Sequence, residues 1–205
     1  MADRRSHTLG DSAVVHGVFS DRTDGDLAPD AGDVSALQRR RAALAPVPWT
    51  WLHQVHSAGV VEVTHPGDRA GETADASVTR SERTTLSVQV ADCAPVLMFA
   101  PTGDSVVLAA VHAGWRGLLE GVLPATVEAM RGLGAEGIQW WLGPCVSAPA
   151  YEFSPADLEV VSSRLGDGVR STTPAGAPAL DMVAAVEASM ALAGVSEPHL
   201  GPHPR

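Results

Sequence analysis

The chain has 205 residues, a formal charge of −10, 45% apolar residues and two cysteines, enough for one sizeable α/β domain with its own core. The acidic balance disfavours broad nucleic-acid binding, which needs a basic surface to displace counterions, and two cysteines make no disulfide framework and fit a reducing compartment. There is no lysine and no asparagine, and all fourteen basic residues are arginine, which excludes Schiff-base chemistry, a Walker-type phosphate loop and the kinase catalytic-loop pattern.

In chain order, Met1–Ser12 is polar and is expected to fray. Its sequence lacks the apolar core of a secretory signal, and the longest apolar runs are strand-length, too short for a membrane helix. A cytoplasmic location is therefore expected. Ala13–Phe19 reads as a strand, and Ser20–Gly32 as a surface loop rich in Asp, Gly and Pro. Asp33 can cap a helix running to about Ala45, with Arg39, Arg40 and Arg41 inside it and Pro46 and Pro48 beyond its end. Trp49–Val55 and Val60–Val63 read as strands around a QVHS turn carrying His56 and Ser57. His53, three residues before His56, falls on the opposite face of a strand and reads as structural or surface.

Asp75–Thr79 reads as a strand start, and Leu86–Val90 and Val96–Ala100 as strands flanking Asp92 and Cys93. Val106–Val111 is a buried strand that runs through His112 into a tight turn and a helix. Pro124 in that helix predicts a kink near Gly121–Leu123 or a new helix there. Ile138–Leu142 reads as a strand, Pro155–Leu165 and Leu180–Ala193 as amphipathic helices, and Gly166–Pro178 as a flexible connector.

Three strand ends thus offer His56, Cys93 and His112. Two imidazoles and a thiolate suit zinc, and three protein ligands leave a fourth position open, the mark of a catalytic zinc site. Other readings stand beside it. His112 is equally read as a capping or packed histidine, and a Cys93–His112 pair as a nucleophile and its base. Cys145 reads as a small buried residue.

QVHSAGVVEV, ADASVT, VADCAPVLMFAP, VHAGWRGLLEGVLPATVEAM and LGPCVSAPAYEF together resemble the YfiH/DUF152 family, over roughly His16 to Val195. The resemblance implies an α+β fold of mixed β-sheets covered by helices, a four-layer α/β/β/α sandwich, with residues 1–205 as a single domain. It implies zinc held by His56, Cys93 and His112, the same residues serving catalysis. It also implies phosphorolysis of adenosine, inosine, guanosine and methylthioadenosine, with adenosine deamination beside it. The partners expected are then a small nucleoside and phosphate. Arg41 follows from the family pattern in the first helix. Arg116, in the helix turn after Trp115, is a candidate bidentate phosphate contact and equally a structural brace. The helix N-terminus at Gly114–Gly117 is a candidate phosphate cradle.

Asp75 and Asp92 are the carboxylates nearest the motifs. Asp75 is a candidate substrate or proton-shuttling residue or a turn cap, and Asp92 a candidate orienter of a metal-bound histidine. Departures from the family pattern are Ser57 after QVH, Arg40 before Arg41, Pro149 in the loop after LGP, and no segment resembling the family's usual C-terminal one. A multicopper oxidase needs HxH pairs, and the eight histidines supply none. A blue-copper arrangement would need an axial ligand, for which Met98 is the candidate. The cytidine-deaminase signature is also missing. A peptidoglycan-precursor hydrolase and a non-catalytic zinc-binding protein are the alternatives.

Overall fold

The computed structural model describes residues 2–9 and 13–196. Its strands are β1 (Asp3–Leu9), β2 (Ala13–Phe19), β3 (Trp49–Thr50), β4 (Leu52–His53), β5 (Val60–Val63), β6 (Glu72–Thr73), β7 (Ala76–Thr79), β8 (Thr85–Leu86), β9 (Ala94–Thr102), β10 (Ser105–Ala113), β11 (Gln139–Leu142), β12 (Arg170–Thr172) and β13 (Pro178–Leu180). Its α-helices are α1 (Val34–Leu44), α2 (Trp115–Glu120), α3 (Val122–Gly132), α4 (Pro155–Leu165) and α5 (Met182–Leu192).

The centre is a five-stranded mixed sheet in the order β11-β9-β10-β7-β5. β9 and β10 pair from Ser105↔Thr102 to Ala113↔Ala94, joined by Gly103-Asp104. Gly103 sits at φ +57, the left-handed conformation such tight turns demand. Both faces of this pair are covered, so both strands read as near-continuous apolar runs. Val96, Met98, Val107, Ala109, Val111 and Trp140 face one core, shared with α2–α5. Phe99 and Trp141 face a smaller core with Leu9, Val15 and Phe19 of the β1–β2 hairpin. Helices thus lie on one side of the sheet and the hairpin on the other. α1 is fastened to the hairpin by Arg4, whose guanidinium donates to the carbonyls of Leu44 and Ala43. The class is α+β, mixed sheets covered by helices. Among the described residues no helix is long and apolar enough to cross a membrane.

Several local expectations hold. Asp33 caps α1 through Ala36 N at 2.9 Å. Gly121, at φ +92, ends α2 and starts α3. Pro124 is the third residue of α3, where its missing N–H costs no intrahelical bond.

Others are corrected. Asp3–Leu9 does not fray: it pairs with β2 along its length, and Arg5 reaches the Leu142 carbonyl and stacks over Phe19 at 4.7 Å. Its inward positions Arg5 and His7 are polar too, resting on Phe19 and Phe99, so the strand carries no apolar signature. Trp49–Val55 is two dipeptide strands, each paired in parallel with β8 or β6. Regular structure in the expected Leu86–Val90 strand stops at Leu86. Gly166–Pro178 contains a 3-10 turn and strand β12, paired with β13. Leu180 belongs to β13, and α5 begins at Met182 because Asp181 caps it through Ala184 N.

The hairpin packs on the sheet through Gly17, where a Cβ would lie 2.6 Å from Trp141 Cζ3. Gly17→Ala is expected to cost about 1–3 kcal/mol by overpacking, read as a lower urea midpoint. Gly32→Ala, with nothing within 4 Å of the new Cβ, should leave the midpoint in place.

Candidate metal centre

The topology gathers four chain segments at one end of the sheet. β9 begins there and its antiparallel partner β10 ends there. β7, antiparallel to β10, and β5, parallel to β7, also begin there. Cys93 immediately precedes β9, His112 is the penultimate residue of β10, Asp75 immediately precedes β7, and His56 lies in the loop leading into β5. Alternation along β10 sends Val111 and Ala113 into the helical core and His112 to the opposite face.

Asp75 is fully buried. Its carboxylate accepts from the main-chain N–H of Val55 (3.2 Å), His56 (2.9 Å) and Ser57 (2.7 Å), and from the Ser57 hydroxyl (2.8 Å). It also accepts from His112 Nδ1 at 2.8 Å. Its main chain extends the ladder, with His112 N donating to Asp75 O at 2.8 Å and Asp75 N to Gly59 O at 3.1 Å. Burial works to raise the carboxyl's pKa, and the hydrogen bonds from His112, Ser57 and His56 outweigh it and hold it below the usual carboxylate range. An ionised Asp75 only accepts, so His112 carries its proton on Nδ1 and turns the Nε2 lone pair outward. Burial, against the pull of Asp75, keeps His112 below the usual imidazole range, so the ring is neutral.

The same carboxylate shapes the His56 loop. His56 sits at φ +59, a conformation that is costly for a non-glycine residue. Three consecutive N–H groups bonded to one carboxylate hold it there.

The ligand atoms of His56, Cys93 and His112 lie within 4.8 Å of one another. Cys93 Sγ is 3.8 Å from His56 Nε2, and the two imidazoles meet edge to face, centroids 4.8 Å apart at 75°. Ligand atoms around a tetrahedral zinc stand about 3.3–3.7 Å apart, so the group needs little closure to fit a metal. Gly114 makes the room: a Cβ there would lie 2.6 Å from His56 Cδ2 and 3.1 Å from Cys93 Sγ. Burial, then the charges of Asp92 and Asp75, push the Cys93 thiol above its usual range. All three residues line a cavity of about 700 Å³. Among the described residues this is the one such group able to hold a metal ion.

The model of the family described as multi-copper polyphenol oxidoreductase laccase matches residues 23–203. Similar proteins include the purine nucleoside phosphorylase YfiH of Escherichia coli, 43% identical over 102 residues, half of this chain and 40% of that protein. The chain belongs to this family, the YfiH/DUF152 proteins. A purine nucleoside phosphorylase of Streptomyces coelicolor is 38% identical over 179 residues, covering 84% of this chain and 73% of that protein. Among solved structures, a DUF152 protein of Neisseria meningitidis superposes with a TM-score of 0.68 at 29% identity, over 83% of this chain and 71% of that one. YlmD of Geobacillus stearothermophilus shares the YfiH fold with a TM-score of 0.71, over 95% of this chain and 77% of that one.

Not every residue expected at the YfiH-type site lies there. Arg41 is in α1, donates to the Leu27 carbonyl at 2.9 Å and stacks over Trp49 at 5.3 Å. It lines a second, larger cavity. Arg116 is exposed and folds over its neighbour Trp115 at 4.1 Å. Neither lines the cavity at the cluster. Asp75 is buried, caps the 55–57 loop as its turn-cap reading had it, and orients His112, the part foreseen for Asp92. Met98 is buried in the core. Cys145 packs against the core, its thiol pushed up to about 11 by burial, Asp181 and Cys93. α2 has six residues, a single short turn for the expected phosphate cradle. His53, read from the sequence as structural or surface, lines the cavity, as do Trp51 and the Gln54–Gln89 pair, which the sequence did not single out.

Asp75→Asn keeps the shape and removes the charge. It is expected to weaken metal binding about 10–100-fold, measured by competition with a chelator. Folded Asp75 titrates below its unfolded value, so its stabilisation is complete above about pH 4 and drains away as pH falls. The variant should therefore lose less stability than wild type on acidification, seen in melting curves across pH. Because Cys93 enters as a protonated thiol and His112 as a neutral ring, metal uptake near pH 7 should release about one proton per chain, read in a weakly buffered titration.

Proposed function

We propose that this chain is a zinc-dependent purine nucleoside phosphorylase. The observation that carries this reading is the convergence of two imidazoles and one thiol on the wall of a cavity of about 700 Å³. The donor set favours zinc. Three ligands leave a position for a reactant, where a closed structural site would use four. The copper chemistry in the family description asks for several copper centres, and the described residues offer one three-ligand group. Relatives at 35–38% identity bear the phosphorylase name.

Zinc bound there would supply a Lewis acid with one open position for an oxygen anion. The chain's residues do the rest. His112 is fixed in tautomer and direction by Asp75, so its Nε2 is aimed before any reactant arrives. Cys93, as thiolate, and Asp75 together balance the charge of a divalent ion, leaving the centre neutral before the anion binds. Phosphate needs a position near C1′ of the ribose, and no arginine among the described residues lines the cavity. A metal held by His56, Cys93 and His112 would supply the positive charge that attracts it. The substrates proposed are adenosine, inosine, guanosine and methylthioadenosine. Adenosine deamination at the same centre would use water in place of phosphate.

Purified zinc-loaded protein given inosine and phosphate should release hypoxanthine and ribose 1-phosphate. His112→Ala should reduce the rate to background. Base release that continues undiminished when phosphate is withheld would overturn phosphorolysis in favour of hydrolysis.

A further inference from the structure

The cavity wall carries a second chemistry beside the three ligands. Trp51 and Val90 line it, as do the carboxylates of Asp30 and Asp92, with no arginine among the described lining residues in a chain that has no lysine. Trp51 is half-buried. Its indole rests on Gly71, where a Cβ would come 3.1 Å from Cη2, and its carbonyl accepts from Gly71 N at 2.7 Å. Gly71 is at φ +85, so the residue beneath the ring is held to glycine by conformation as well as by space. The ring thus rests on Gly71 where it borders this cavity, and Trp51 borders the second, larger cavity as well.

Val90 is 38% exposed. The segment that carries it has no regular structure but is pinned twice. Ser87 N and Oγ both donate to Thr50 O, at 2.9 and 2.8 Å. Gln54 and Gln89 exchange two bonds, Gln54 Nε2 to Gln89 O at 2.7 Å and Gln89 N to Gln54 Oε1 at 2.8 Å. Two apolar surfaces on one cavity wall are therefore held in place without a ligand. A planar ring with two π-faces is the small-molecule shape that gains most from such surfaces. Two carboxylates with no cationic side chain beside them on the described lining disfavour an anionic ring and tolerate a neutral one.

Resting on the nucleoside reading above, we infer that Trp51 is the stacking platform for the base, with Val90 its apolar companion, and that Asp30 and Asp92 select a neutral over an anionic ring. Inosine and xanthosine differ little in size, and at slightly alkaline pH the xanthine ring is an anion.

The experiment is calorimetric binding of each nucleoside to zinc-loaded protein without phosphate, so that no turnover is needed. Wild type should bind inosine at least about tenfold more tightly than xanthosine. Trp51→Ala should weaken inosine binding about tenfold or more, with zinc content unchanged at one per chain. Trp51→Phe should restore most of it, and Asp30→Asn should narrow the preference for inosine. Equal binding of inosine by wild type and Trp51→Ala, or of xanthosine and inosine by wild type, overturns the inference, as does wild type that binds no inosine. Tight, Trp51-dependent inosine binding without phosphorolysis would sink the phosphorylase reading and leave the platform standing.

Discussion

One buried carboxylate holds the end of this sheet together. Asp75 takes five hydrogen bonds from two distant pieces of chain, the 55–57 loop and His112. A buried charge is tolerated only when paired and hydrogen-bonded, and here the pairing does structural and chemical work at once. The same oxygens that stabilise the loop's left-handed turn fix the tautomer of a candidate metal ligand. The loop, the strand end and the direction of His112 Nε2 are therefore coupled, and loosening any one frees the others.

The sheet supplies the rigidity behind that carboxylate. β9 and β10 are buried on both faces, so the strand ends that carry Cys93 and His112 project from a close-packed slab. Interiors packed to crystal-like density have low compressibility, which suits a centre whose donor atoms must stay within a few tenths of an ångström. Gly114 completes the arrangement by absence. With no side chain at the N-cap of α2, His56 and Cys93 approach the main chain closely.

The family's printed description points to several coppers, whereas its curated relatives are called phosphorylases. The donor atoms speak to this difference directly. Two nitrogens and one sulfur at mutual distances under 5 Å could hold one metal ion, and Met98, the axial candidate for copper, is shut in the core. The cavity beside the centre is acidic and partly aromatic, a combination better matched to a neutral ring than to an anion held by side chains.

Much of this was legible in the chain itself. The ligand trio, the apolar strands, the Asp33 cap and the break before Pro124 each depend on local chemistry: side-chain donor type, period-two burial, capping oxygens, a missing N–H. Strand β1 was hidden because its residues are polar and its partner, not its pattern, makes it a strand. β12 was hidden for the same reason inside a glycine- and proline-bearing connector. Only the tertiary structure could assign Asp75, since the sequence gives a carboxylate no direction and the 112↔75 register decides which imidazole it meets. The same holds for Arg41 and Arg116: a guanidinium on a long stem goes where a carbonyl or ring receives it, and that partner is set by how α1 and α2 pack. Residue types fixed which atoms could bind a metal or an anion. Folding decided which of them share a space.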